Sequence, residues 1–201
     1  MVSELGILEH SNQGEAARSL DVRDRRLLEG VVAGNRDSII KLYNLYFPRL
    51  FSFLYRLSRD YCLTEELVND VMLVVWQDAE KFRGSSKVST WIFGIGYRQC
   101  LKRLSKRRLP QVDRQKAHEP HFDSCGIVEL DDVLESALDE LSPKHRMMIE
   151  SVLYLGMTYR EVAEIAGCPV NTAKTRVHNA RKQLRAALVR MGYVHGASSD
   201  G

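Results

Sequence analysis

Five basic side chains, Lys174, Arg176, Arg181, Lys182 and Arg185, fall within CPVNTAKTRVHNARKQLR (168–185) with no acid among them. Interleaved with them are Asn171, Thr175, His178 and Asn179, which carry hydrogen-bond donors and acceptors. Cations offset phosphate charge and amides read base edges, so this mixture has the chemistry of nucleic-acid binding. Laid out at about 100° per residue, the run divides. Ala173, Val177, Ala180, Leu184, Ala187 and Leu188 gather on one side. Asn171, Lys174, Thr175, His178, Asn179 and Lys182 take the other, and Arg176, Arg181 and Arg185 flank them. A merely solvated basic face would carry Glu at helical spacing to compensate; none is present.

Other chemistries find less support. Cys62, Cys100, Cys125 and Cys168 are scattered without a Cys-x-x-Cys pair, against a zinc ribbon or a disulfide framework, so free thiols are expected. His118, His121 and Cys125 in HEPHFDSC fall short of the four ligands of a structural zinc site, and the segment reads as a polar linker. No nucleophile elbow, phosphate loop or metal signature appears, so neither an enzyme nor a cofactor is expected.

The elements that must position the basic run come from periodicity and punctuation. With 201 residues, 44% hydrophobic and 27% charged, the chain has material for one medium domain or two small ones. The net charge of +3 excludes nothing, but charge is segregated: 165–199 has no Asp or Glu, whereas 129–140 is strongly acidic. The N-terminus has no basic segment followed by an apolar core. No run approaches the roughly 20 apolar residues of a membrane span, so a cytoplasmic location without membrane insertion is expected.

Residues 1–20 read as a mobile tail, and 21–108 as four helices in one bundle. Pro48 is expected to kink or split the second helix, Thr64 to cap the third, and the fourth to begin near Ser89. Residues 109–126, with two prolines and no apolar period, read as a flexible linker. The second domain, 127–191, opens with the amphipathic IVELDDVLESALDEL. Ser142 and Pro143 restart the chain, and Gly156 ends that helix. Thr158 and Glu161 form a capping box over a short helix to Ala166, and Gly167 and Pro169 turn the chain into the basic run. This is a helix-turn-helix, whose second helix enters the DNA major groove. Residues 192–201 read as a C-terminal tail.

Two ordered blocks, TEELVNDVMLVVWQDAEKFRGSSKVSTWIFGIG and LSPKHRMMIESVLYLGMTYREVAEIAGCPVNTAKTRVHNARKQL, resemble regions 2 and 4 of bacterial sigma factors of the extracytoplasmic-function group. The resemblance implies an all-α chain of two small helical domains that serves as a promoter-specificity subunit of RNA polymerase. Region 2 would bind the clamp helices of the largest polymerase subunit, then recognise and melt the minus-ten element. Region 4 would bind the flap of the second-largest subunit and read the minus-thirty-five element. It also implies a cognate anti-sigma factor, through which the chain can be held indirectly at a membrane.

Residue by residue, the resemblance assigns polymerase contact to Glu66, Asn69, Asp70 and Leu73, with Asn69 in place of a common Gln. Leu67, Val71, Val74, Val75 and Trp76 read as core. Capture of a flipped minus-ten base falls to the loop Arg83, Gly84, Ser85, Ser86, Lys87 and Val88, the bland alternative being an ordinary turn capped by Ser89. Trp91 can stack on a base or sit in the core. Gly94, Gly96 and Arg98 stand where relatives commonly have Arg, Ala and Asn. Arg98, Lys102, Arg103, Lys106, Arg107 and Arg108 can hold phosphates. Contacts to the minus-thirty-five element map to Lys174, Thr175, His178 and Asn179, with Asn171, Lys182, Arg176 and Arg181 around them. The rival to this reading is a helix-turn-helix regulator with an effector pocket and a dimer interface.

Overall fold

A computed structural model of the chain describes residues 19–107 and 128–193, and all regular structure in those residues is helical. Helix α1 covers residues 19–32, followed by α2 (Arg36–Ser58), α3 (Tyr61–Gln77), a 3-10 turn (Ala79–Lys81) and α4 (Val88–Arg107). The expected linker, with His118, His121 and Cys125, lies outside the described residues, as do the expected tails 1–18 and 194–201. The chain resumes as α5 (Val128–Asp139), α6 (Pro143–Leu153), α7 (Tyr159–Ala166) and α8 (Val170–Arg190).

Several boundaries differ from the sequence reading. Helix α2 runs unbroken through Pro48. A proline in a helix interior costs about 3 kcal/mol, but Tyr46, Leu50, Phe53 and Leu54 around it are all buried. Each such side chain contributes about 1.5–3 kcal/mol, and Pro48 and Asn44, whose carbonyl loses its helical donor, face solvent. Helix α3 starts at Tyr61, before Thr64. Its cap is Asp60, which accepts the Leu63 N–H at 2.8 Å, while the buried Thr64 hydroxyl donates back to the Asp60 carbonyl at 2.7 Å. Helix α4 begins at Val88 and is not capped by Ser89; the Val88 N–H donates to Asp21 Oδ1 of α1 at 3.3 Å. Helix α6 ends at Leu153, and Gly156, at φ +62°, turns the chain after it.

The first four helices enclose a core that includes Leu42, Leu50, Leu54, Leu67, Val71, Ile92 and Phe93, all buried. Gly96 lets α4 approach α2 closely, since a Cβ there would lie 3.2 Å from Leu50 Cδ1 and 3.4 Å from Leu54 Cδ2. Beyond its own bundle α4 packs on α7, and α2 packs on α6, so the same core continues into Met147, Met148, Val162 and Ile165. A second apolar cluster, Ala137, Leu138, Leu141, Ile149, Ala180, Leu184 and Ala187, belongs to α5, α6, α8 and their connections alone.

Charge reinforces the contact between the two groups of helices. Arg56 donates to Glu135 at 2.6 Å, Arg59 pairs with both Glu135 and Asp139, and Arg146 pairs with the same two carboxylates. Arg56 also lies 3.9 Å over the Tyr154 ring. Glu150 is buried and accepts from Arg146 Nε at 2.9 Å. Burial pushes its carboxyl pKa up, against the pull of the Arg146 and Arg56 guanidiniums.

Candidate nucleic-acid interface

The capping box sets the direction of the helix-turn-helix. The Thr158 N–H donates to Glu161 Oε2 at 2.7 Å and the Glu161 N–H donates to Thr158 Oγ1 at 3.3 Å, so two donors at the start of α7 are satisfied reciprocally. Gly167, at φ +61°, ends α7 in the left-handed region that favours glycine, and Pro169 stands immediately before α8.

Helix α8 divides as its periodicity predicts. Ala173, Val177, Ala180, Leu184 and Ala187 are buried, and Asn171, Lys174, Thr175, His178, Asn179, Arg181, Lys182 and Arg185 are exposed. Arg176 is only half-buried; burial raises the Tyr97 phenol of α4 above its ordinary value, against the pull of Arg176. The Thr175 hydroxyl donates to the Asn171 carbonyl at 3.0 Å, which leaves its lone pairs and methyl for a ligand. Among the described residues the only ion pair made from α8 is that of Arg190 with Glu140. The cations at the middle of the outward face therefore have no carboxylate partner among the described residues.

The loop between the 3-10 turn and α4 is shaped differently. Gly84 sits at φ +70°. Arg83, Gly84 and Ser85 are exposed, Ser86 and Lys87 half-buried, and Val88 fully buried. Lys87 Nζ lies 2.7 Å from Glu161 Oε1, joining the loop to the start of α7. Burial alone would raise the Glu161 pKa, but hydrogen bonds from Lys87, the Thr158 N–H and the Thr158 hydroxyl hold it below the ordinary value. Trp91 is half-buried, and its ring meets Phe82 at 5.4 Å between centroids.

Beside this loop, α3 and α4 bound an open cleft of about 320 Å³ whose lining includes Lys81, Trp91, Ile95, Arg98 and Gln99. The Gln99 side-chain oxygen is buried with no hydrogen-bond partner among the described residues. Lys81 there is paired with Asp78, which also lines the cleft, at 2.7 Å. The aromatic wall, the Arg98 guanidinium and the unpartnered amide oxygen can together stack on a base, offset its phosphate and read its edge. Sequence reading found Trp91 and Arg98 but missed Gln99, eight residues after Trp91 on the same face of α4, and Lys81, which joins them only when the elements pack. Farther along α4, Lys102 and Lys106 are exposed, and Arg103 pairs with Asp70 at 2.9 Å and Glu66 at 3.5 Å. The Arg107 side chain and Arg108 lie outside the described residues.

The outer face of α3 carries Glu66, Asn69 and Leu73, all exposed, and the partly buried Asp70. Asn69 Oδ1 accepts from the Tyr43 hydroxyl at 3.1 Å. Trp76 is 57% exposed, not core as its apolar neighbours implied. The signal was present: Trp76 lies seven residues after Asn69 and three after Leu73, spacing that puts it on their face. Leu67, Val71 and Val75, by contrast, are fully buried.

Cys100 is buried beneath α7, and desolvation pushes its thiol up to about 11, so it behaves as a small apolar side chain. Cys62, Cys100 and Cys168 are free thiols. Among the described residues no helix is long and apolar enough to cross a membrane.

Family models match both halves of the chain: "Sigma-70 region 2" over residues 42–109 and "Sigma-70, region 4" over residues 131–184. The chain is 30% identical to the ECF RNA polymerase sigma factor RpoE of Cereibacter sphaeroides, over 82% of this chain and 95% of that protein. It is 24% identical to the ECF sigma factor SigK of Mycobacterium ulcerans, over 87% and 97%. Among solved structures, it resembles the sigma factor RpoE of Bartonella quintana in complex with the anti-sigma factor NepR. There the TM-score is 0.61 and the identity 26%, over 74% of this chain and 95% of that one. CnrH in complex with the cytosolic domain of CnrY shares the fold, with a TM-score of 0.63 at 20% identity over 84% and 98% of the two chains. The chain thus belongs to the sigma-70 family, among the extracytoplasmic-function sigma factors that direct promoter-specific initiation by RNA polymerase.

Proposed function

We propose that residues 21–108 and 127–191 act as the two promoter-reading units of this sigma factor, joined by a linker over 109–126. Helix α8 reads the minus-thirty-five element with Lys174, Thr175, His178 and Asn179 at base edges. Asn171, Arg176, Arg181 and Lys182 serve the phosphates around them. The observation that carries this assignment is the division of α8 into a buried apolar stripe and an outward face whose central cations have no carboxylate partner among the described residues.

The minus-ten element falls to the loop Arg83, Gly84, Ser85, Ser86 and Lys87 together with the cleft behind it. Trp91 supplies a stacking face, Arg98 and Lys102 hold the strand, and Gln99 offers an acceptor to a base amino group. Glu66, Asn69, Asp70 and Leu73 engage the clamp helices of the polymerase. Trp76 extends that stripe as an exposed aromatic anchor, the residue type that dominates interface energies. The flap contact belongs to the second unit. The polymerase performs the chemistry; this chain supplies no catalytic group, metal or cofactor.

An anti-sigma factor is the third partner, supported by the likeness to sigma factors solved with NepR and CnrY bound. The protein then works in the cytoplasm, held at a membrane only through such a partner. Run-off transcription with purified core polymerase on a promoter library tests the whole reading. Transcripts confined to one class of paired elements are expected, and none from a folded protein would sink it. A pull-down under inducing and resting conditions that recovers polymerase alone would count against the anti-sigma partner.

A further inference from the structure

The loop 82–88 has little internal reason for its shape. It is short, holds a glycine at φ +70° and leaves its middle exposed. Lys87 bridges it to α7 and Phe82 packs on Trp91, but its carbonyls are met by one guanidinium on the first helix. Arg25 donates through Nη2 to the Ser86 carbonyl at 2.9 Å and to the Gly84 carbonyl at 3.4 Å. The same group lies 5.5 Å over the Phe82 ring, and its Nε donates to Asp21 Oδ2 at 2.8 Å. The other Asp21 oxygen accepts the Val88 N–H that opens α4. At Gly84 a Cβ would sit 3.0 Å from Arg25 Nη1, so the backbone approaches the guanidinium as closely as a missing side chain allows.

Arg25 and Asp21 thus span the loop from Phe82 to Val88, and they do so from α1. The pair alone, as an ion pair one helical turn apart, would be worth little. Its significance lies in the fork: a planar guanidinium can serve a carboxylate, two carbonyls and an aromatic face together, as a lysine ammonium cannot.

We propose that Arg25 is a positioning residue for minus-ten recognition, holding the loop in the one shape that discriminates among nucleobases. The inference rests on the reading of that loop as a base-binding element. Arg25 touches no base in this role; its Nη2 is turned to the loop backbone and its Nε to the Asp21 carboxylate. Losing it therefore relaxes which base is accepted more than how tightly DNA is held.

The test uses the full chain assembled with core polymerase and fluorescent single-stranded minus-ten oligonucleotides carrying each of the four bases at each position. Wild-type protein should show a spread of affinities at one position or more. Arg25→Gln should narrow that spread about tenfold, the discrimination one good base contact supplies, with affinity for the worst base within about twofold of wild type. Arg25→Lys should behave like Arg25→Gln, because charge alone does not restore the fork.

Tyr46→Phe is the control. It removes the bond from the Tyr46 hydroxyl to the buried Asp24, 2.5 Å long, that seats α1 on α2, and it leaves every partner of Arg25 in place. Tyr46→Phe should keep the spread. An unchanged spread in Arg25→Gln, an equal narrowing in Tyr46→Phe, or rescue by Arg25→Lys overturns the proposal while base reading by the loop stands. A uniform loss for all bases with a smaller salt slope would make Arg25 a phosphate contact and overturn it too. A flat wild-type profile overturns the proposal and the base-reading assignment together.

Discussion

Helix α8 turns Lys174, Thr175, His178 and Asn179 outward because Ala173, Val177, Ala180 and Leu184, on the same helix, are buried. The loop 82–88 offers similar polar chemistry, yet its Ser86 carbonyl is held by Arg25, 61 residues earlier in the chain. One surface carries its own geometry; the other borrows it. Damage to α8 should therefore act through the side chain removed, whereas damage to the loop should also come from α1. Base preference at the two promoter elements then separates the two kinds of construction.

The largest expected effect is on the self-made surface. Lys174→Ala with His178→Ala should lower transcription from a promoter dependent on its minus-thirty-five element by tenfold or more, since each base contact is worth about 1–3 kcal/mol. Core binding, measured by fluorescence titration, should stay intact. Equal loss of core binding would show that this face of α8 is not reserved for DNA.

Gly84→Ala attacks the borrowed surface. A left-handed conformation costs an L-residue about 1–2 kcal/mol, and the added Cβ presses on Arg25. Minus-ten base preference should weaken and the minus-thirty-five preference should not. Movement of both would mean that the surfaces are coupled through α4 and α7, which pack together.

Thr158→Ala breaks the capping box of α7 and should cost about 1 kcal/mol, seen as a lower thermal midpoint. The preference at the minus-thirty-five element should survive, because the α8 face depends on its own periodicity. A changed preference would demote α8 to a surface that also borrows its geometry.

The smallest effect belongs to Glu161, which joins the loop to the start of α7 through Lys87. Its folded pKa lies below the ordinary 4.5, so its contribution to stability is present above that value. As pH falls through the depressed value, that contribution is lost. Glu161→Gln should remove this part of the acid slope of the thermal midpoint, measured against wild type. Parallel slopes would mean that the bridge to the loop carries no stability.

Sequence reading succeeded where structure is local. The apolar stripe of α8, the box of Thr158 and Glu161, the turn at Gly167 and the cap at Ser142 all depend on residues within a few positions of each other. Two misses were themselves local, Thr64 in place of the Asp60 cap and Trp76 in place of an exposed face residue. The others came where a distant group or packing intervened. Ser89 looked like the cap of α4, but Asp21 of α1 does that work. Pro48 looked like a break, but the buried side chains around it hold α2 together. Gly96 looked like a mere departure from the alanine common in relatives, and it proves to be where α4 meets Leu50 and Leu54 of α2.

The sequence by itself determined the helices, the caps at Ser142 and Thr158 and the outward face of α8, because a period of 3.6 residues sorts side chains into faces without reference to the rest of the molecule. Only the tertiary structure decided that Lys81 shares a cleft with Trp91 and that Arg25 shapes the loop. It also decided that Arg56 and Arg59 answer the acids of α5. Those arrangements arise when helices distant in the chain bury a common core. No periodicity within one helix encodes which turn of another will face it.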